Sequence, residues 1–294
     1  MTDAAIKVTN ATRRFGSTVA VHDLSFEVPQ GSIFGLVGTN GAGKTTLIRM
    51  LVGHLHCDSG SVQVLGSDPW NHDTNTRRRV AYVSDQMQLP PRMKLSDVLA
   101  MNKGFFPKWN AGVAESLVGE FKLPTDKRYS ELSFGQQRRA VLMQALAQGA
   151  DLLVLDEPAS GLDPRGRRQF LETLLSAAVD SGQTVLFSSH MLTDVERVID
   201  RVALIADGKL RITGDLESLK SRLRRVRVDG SIDAKEIESH FTVLEHRVTD
   251  GITELLVDAF DDGQWQKFRE VVNHETTVEQ LNLEEMFLEL TADC

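Results

Sequence analysis

Ile33-Phe34-Gly35-Leu36-Val37, followed at once by Gly38-Thr39-Asn40-Gly41-Ala42-Gly43-Lys44-Thr45-Thr46, decides the architecture of this chain. Five apolar residues in a row read as a buried strand, and the nine that follow satisfy every fixed position of G-x-x-x-x-G-K-[ST]. The glycines let consecutive backbone N–H groups curl around phosphate oxygens, and a helix starting near Lys44 aims its positive end at them. Lys44 is placed to reach the β and γ phosphates of a nucleoside triphosphate, and Thr45 to set its hydroxyl on Mg²⁺. Thr46 supports the loop. A strand, a phosphate loop and a helix in that order predict an α/β P-loop domain.

Downstream, a second apolar run, Leu152-Leu153-Val154-Leu155, ends in Asp156-Glu157-Pro158. A buried parallel strand that stops on acids presents them to a ligand crevice at its carboxyl end. Asp156 is expected to hold Mg²⁺ through water, and Glu157 to polarise the attacking water. His190 follows Val185-Leu186-Phe187-Ser188-Ser189 and stands at another strand end. In Leu132-Ser133-Phe134-Gly135-Gln136, Ser133 is expected to cap a helix beginning near Gln136, and Gly135 lets the backbone approach an anion.

Taken in chain order, the phosphate loop, the Ser133 loop, the acids after the second apolar run, Ser160-Gly161-Leu162-Asp163 and His190 are five motifs that resemble the ATP-binding cassette family over Ile6 to about Leu219. The resemblance implies an ATPase that uses ATP and Mg²⁺, with Glu157, His190 and Lys44 catalytic and His190 contacting the γ-phosphate. It implies that Ser133, Gly135 and Gln136 complete the ATP site of a partner subunit, although Phe134 replaces the first of the family's two glycines. It places Phe15, in Arg13-Arg14-Phe15-Gly16, on the adenine, where a core position is the competing expectation. The γ-phosphate-sensing glutamine of the family falls on Asp85, with Gln86 as substitute; an acid coordinates metal directly, and its presence resembles the exporter branch. The segment at about 87–150 matches a helical subdomain whose groove receives a membrane subunit. Phe105, Phe106 and Trp109 either line that groove or form the lobe's own core.

The resemblance therefore implies a second ATPase subunit, identical or paralogous, an integral membrane permease, and a cytoplasmic location on the inner face of the membrane through that permease. Phe105 to Asn110, Asp163-Pro164 and Leu283-Glu284-Glu285-Met286-Phe287-Leu288 resemble the ATPase subunits of bacterial exporters. An importer subunit with a regulatory tail and a non-transport cassette ATPase stay open as alternatives.

Composition agrees with a folded enzyme. The 294 residues include no apolar run near the eighteen or so needed to span a bilayer, and the first nine carry no leader pattern. Two cysteines, Cys57 and Cys294, give no disulfide framework. A net charge of −8 argues against general affinity for nucleic acid. From Leu223 onward 7 basic face 17 acidic residues, which leaves 26 against 24 in the rest, so a domain boundary is expected near Arg222.

The acidic tail, 223–294, reads as a small α+β, ferredoxin-like layer: strands at 224–228, 242–248, 252–257 and 276–281, helices at 233–239 and 263–272, and a last helix at 283–290. Three patterns carry no chemistry at this level. His54, His56 and Cys57 lack a matched second pair for zinc. Arg77-Arg78-Arg79 reads as a solvated charge run, and Trp70 and Trp265 give no signal.

Overall fold

The computed structural model describes residues 4–71, 74–230, 241–261, 263, 265, 266, 269 and 275–291. The chain divides into two compact units, Met1–Leu210 and Arg211–Cys294. The division falls inside a strand, twelve residues before the shift in charge.

Two sheets build the first unit. One is antiparallel, in the order β2-β1-β4, from β1 (Ala4–Phe15), β2 (Thr18–Pro29) and β4 (Ser59–Val64). The other runs β5-β6-β7-β3-β8-β9, from β3 (Ile33–Val37), β5 (Val80–Ser84), β6 (Leu152–Asp156), β7 (Thr184–Ser189), β8 (Arg201–Ala206) and β9 (Lys209–Asp215). Strands β3 and β6 are buried at every position, which is why they read as unbroken apolar runs rather than alternating ones. Between the sheets lies one core in which Phe26 stacks on Phe34 at 5.6 Å and Leu47, Ile48 and Leu51 of α1 (Lys44–Leu51) are fully covered. Each such side chain contributes about 1.5–3 kcal/mol by leaving water. That core fixes α1 directly behind the phosphate loop.

Parallel registry fixes the rest of the site. Val37 pairs with Ser189, Asp156 with Ser188, and Ser84 with Asp156, so β3, β5, β6 and β7 end at one edge. Whatever follows those four strands meets there.

A short α2 (Thr74–Arg78) precedes β5 and a short α7 (Leu192–Val195) follows β7, while the helical segment carries α3 (Leu95–Phe105), α4 (Ala111–Glu120) and α5 (Phe134–Ala147). Asn110 caps α4 by accepting from the Val113 amide at 3.1 Å, and Phe121 follows Glu120 as its carboxyl cap. The carboxyl half of α5 is almost wholly buried, packed against α4 and against α6 (Pro164–Asp180). Asp163 caps α6 at 2.6 Å from the Gly166 amide, with Pro164 at the first helical position, where its missing N–H has no partner to lose. Of the aromatics expected in this lobe, Phe105 is 63% exposed, so it is not core; Phe106 and Trp109 are half-buried.

In the second unit α8 (Leu216–Arg222) precedes β10 (Arg224–Asp229), β11 (Thr242–Thr249), β12 (Ile252–Asp258) and β13 (Thr276–Gln280), with a final helix, α9 (Leu283–Thr291). The sheet is antiparallel throughout, in the order β11-β12-β10-β13. Val226, Val228, Leu255 and Val257 cover one face together with Phe241 and Trp265, so Trp265 anchors this unit's core. Arg225 sends its side chain the other way, to Glu279 and, at 2.6 Å, to Glu289 of α9. The expected helix at 233–239 lies outside the described residues, as does most of that at 263–272.

Candidate functional site at the carboxyl edge of the parallel sheet

The phosphate loop is shaped by glycines that no other residue replaces. Gly41 and Gly43 sit at φ of +85° and +101°, and a Cβ on Gly38 would come to 2.2 Å from the Ile205 carbonyl oxygen. The crown of the loop, Thr39 to Gly41, is exposed, Ala42 is packed beneath it, and Thr46 is half-buried on α1. Lys44 is 5% exposed. Its Nζ folds back to donate to the carbonyls of Gly38 at 2.8 Å and Thr39 at 3.0 Å. Those carbonyls stand in for phosphate oxygens, the partners a loop of this shape is built to give the ammonium. Burial lowers the Lys44 pKa; the nearby charges of Glu157 and Asp156 oppose the shift without cancelling it.

Thr45 and Asp156 meet as expected, with Oγ1 3.2 Å from Oδ1. The same Asp156 oxygen accepts from the Ser188 hydroxyl at 2.7 Å, and Ser188 Oγ in turn accepts from the Glu157 amide at 2.9 Å. Ser188 is fully buried and orients both acids. In the sequence Ser188 reads as one more residue of β7; its signal is a hydroxyl in an apolar strand, one place before the edge. A hydroxyl and a carboxylate oxygen facing one point are hard donors of the kind Mg²⁺ takes, so the residues present fit that ion.

Glu157 adopts φ +49°, a left-handed conformation that turns its side chain back over the loop. One carboxylate oxygen pairs with His190 Nδ1 at 2.8 Å. The other lies 3.6 Å from Lys44 Nζ, too long for a hydrogen bond, and is buried with no hydrogen-bond partner. A buried carboxylate oxygen left open is an acceptor waiting for a donor. Lys44, Thr45, Asp156, Glu157 and His190 therefore form one cluster.

Six other expected residues, Asp85, Gln86, Phe15, Ser133, Gly135 and Gln136, stand apart from it. Asp85 and Gln86 occupy the exposed turn after β5, one and two places beyond the residue paired with Asp156; the described contacts include none from either side chain to Thr45 or Asp156. No local sequence pattern announces the contact that this turn does make. Arg138 of α5 donates to the carbonyls of Ser84, at 3.2 Å, and Asp85. Phe15 ends β1 47% exposed, with the Arg13 guanidinium 5.1 Å over its ring, so it is not a core aromatic.

Ser133 is the N-cap of α5, which starts at Phe134 and not near Gln136 as the sequence suggested. The Gln136 amide donates to Ser133 Oγ at 3.3 Å and the Gln136 side chain accepts from the Ser133 amide at 3.0 Å, a reciprocal cap that moved the start forward. Gly135 leaves open space, since a Cβ there would meet nothing nearer than 3.8 Å. No described contact joins Ser133 or Gly135 to the phosphate loop of the same chain.

The remaining patterns resolve structurally. His54 packs edge-on to Tyr82 and His56 edge-on to Trp70, and no group of three metal-binding side chains occurs among the described residues. Arg79 departs from the solvated run and pairs with Asp151 at 2.6 Å. Among the described residues no helix is long and apolar enough to cross a membrane.

Residues 21–160 match the family model for ABC transporters. The Nod factor export ATP-binding protein I of Burkholderia orbicola is 35% identical over 215 residues, covering 71% of this chain and 70% of its own. The bacitracin transport ATP-binding protein BcrA of Bacillus licheniformis is 31% identical over 270 residues, covering 89% and 88%. Among solved structures, an ATP-binding subunit of an ABC transporter superposes with a TM-score of 0.66 over 74% of this chain and 92% of that one, at 23% identity, which speaks to the fold.

Proposed function

This chain belongs to the family of ABC transporter ATP-binding proteins, and from that premise we propose that it works as a pair, two copies or one copy with a paralogue, closing on ATP and driving a separate membrane permease. The chain is an ATP-binding transporter subunit that couples ATP hydrolysis to transport. Relatives named for Nod factor export and bacitracin transport support an exporter, held at the inner face of the membrane by its permease.

The open Glu157 oxygen carries the mechanism. ATP entering the loop draws Lys44 off its own carbonyls and onto the β and γ phosphates, and Phe15 offers its exposed ring to the base. Thr45 and Asp156 would hold Mg²⁺, whose charge would offset that developing on the phosphates. Glu157 accepts a hydrogen bond from the attacking water as the water oxygen bonds to the γ-phosphorus; the bond from that phosphorus to the bridging oxygen breaks with its electron pair leaving on ADP, and the water proton passes by way of the Glu157 carboxylate to the phosphate formed. His190, steadied by the other Glu157 oxygen, faces the γ-phosphate. Asp85, with Gln86 beside it, senses that phosphate from the β5 turn. Ser133, Gly135 and the amino end of α5 close the site of the partner, a reading supported by the lack of any described contact between them and their own loop.

Glu157→Gln keeps the shape and the hydrogen bonds but loses the charge that polarises water. It is expected to bind ATP, fail to hydrolyse it, and elute as a dimer only in ATP during size-exclusion chromatography. Wild-type turnover by this variant, or a monomer at saturating ATP, would overturn the reading.

A further inference from the structure

Phe134 breaks the glycine pair of the Ser133 loop, yet its ring is neither buried nor free. It is 50% exposed and lies beneath the guanidinium of Arg138, 5.0 Å from its centroid and one helical turn on. The other edge of the ring rests on Gly161: a Cβ built there would be 2.8 Å from Phe134 Cε1, at a φ of +77° that favours glycine in any case. Gly161 belongs to the loop that Glu157 opens and Asp163 closes, bound to itself by Ser160 N to Glu157 O at 3.1 Å and Leu162 N to Ala159 O at 3.3 Å. Arg138 meanwhile holds the carbonyls of Ser84 and Asp85, and Ser84 is the register partner of Asp156. One aromatic ring and one guanidinium thus touch three segments: the loop offered to a partner, the turn bearing Asp85, and the loop that positions Glu157.

We propose that Phe134 and Arg138 are positioning residues that relay closure of the Ser133 loop on the partner's nucleotide to this chain's own Asp85 turn and Glu157 loop, making the two ATP sites cooperative. The relay rests on the paired-subunit reading above. Because coupling between sites is reciprocal, ATP held by Lys44 also presets the Ser133 loop through the same contacts.

The test measures ATP hydrolysis against ATP concentration for the full chain, wild type beside Phe134→Leu, Phe134→Tyr, Arg138→Gln and the Phe134→Leu/Arg138→Gln double variant. Leucine fills the space over Gly161 but offers no ring face; tyrosine keeps the face. The wild type is expected to give a Hill coefficient above one. Phe134→Leu and Arg138→Gln should each bring it to one and lower kcat by about two- to five-fold, the worth of one such contact, with KM for ATP little changed. Phe134→Tyr should behave as wild type, and the double variant should be no worse than either single one. Melting temperature is read on each; a loss of rate that tracks a loss of stability, a double variant whose losses add, or an unchanged Hill coefficient overturns the relay. So does a non-cooperative wild type. Failure of the paired-subunit reading shows separately, as a Glu157→Gln chain that stays monomeric in ATP.

Discussion

Lys44 carries its charge where the protein does not favour it. Burial disfavours the ammonium more than Glu157 and Asp156 restore it, so its folded-state pKa lies below 10.5, its ordinary value. A lysine depressed on folding costs stability at every pH below its folded pKa, and the cost is relieved as pH rises from there to the unfolded value. Lys44→Met is therefore expected to melt at a higher temperature than wild type at neutral pH without nucleotide, while ATP affinity falls by roughly ten- to a hundred-fold. Calorimetry and isothermal titration on the same samples decide it; a lower melting point would show the two carbonyls and the acids outweighing burial. Phe15 poses the opposite case, a half-exposed ring whose removal opens no cavity. Losing one base stack costs about 1–3 kcal/mol, so Phe15→Ala should weaken ATP binding by about five-fold or more with the melting point unmoved, and Phe15→Tyr should bind normally. Equal affinity in the alanine variant would remove Phe15 from the site.

Elements are held together by contacts that no local pattern announces. Asp151, just before β6, receives Arg79 at 2.6 Å and Lys108 at 2.9 Å, tying the start of β5 and the helical segment to the sheet. Partial burial pushes its carboxyl pKa up, but the two cations outweigh burial and leave it below 3.8. The depressed value means stability that is fully present above 3.8 and lost as pH falls through the folded pKa. Asp151→Asn should then melt about one to three degrees lower at pH near 7 and coincide with wild type once the acid is protonated; a constant gap across that range would show the amide failing for steric reasons. This bond also marks the limit of reading from sequence. The phosphate loop was legible because its chemistry is local, nine consecutive residues each with a job. Glu157 and His190 were legible because each closes an apolar run. Arg79 looked like solvated charge because its partner lies 72 residues away, and Ser188 looked like filler because its two partners reach it only through parallel registry. The start of α5 slipped by two residues because Gln136 reads as a first helical position until its side chain is seen to turn back and complete the cap.

At the scale of the whole molecule the residues proposed to close an ATP site stand apart from the phosphate loop. Lys44, Asp156, Glu157 and His190 converge within one chain, whereas Ser133 and Gly135 make no described contact with them. If those residues serve a partner's ATP, each of two sites takes its phosphate loop from one chain and its Ser133 loop from the other. Lys44→Ala disables the first half and Ser133→Arg, by filling the space before α5 with a long cation, disables the second. Each variant alone gives dimers in which both sites are damaged. Mixed one to one, they form some dimers in which one site carries both lesions and the other carries none. ATPase activity is therefore expected to return on mixing, with about a quarter of the wild-type rate as the ceiling set by independent sites, because half the dimers are mixed and each holds one intact site; the relay through Phe134 and Arg138 brings it below that ceiling. Activity that never returns, with mixed dimers verified by differently tagged chains, would exclude independent sites and leave only a mechanism in which both must fire together. Full activity from a strictly monomeric wild-type chain would be the more damaging result, because Glu157 would then polarise water without the closure that excludes bulk solvent.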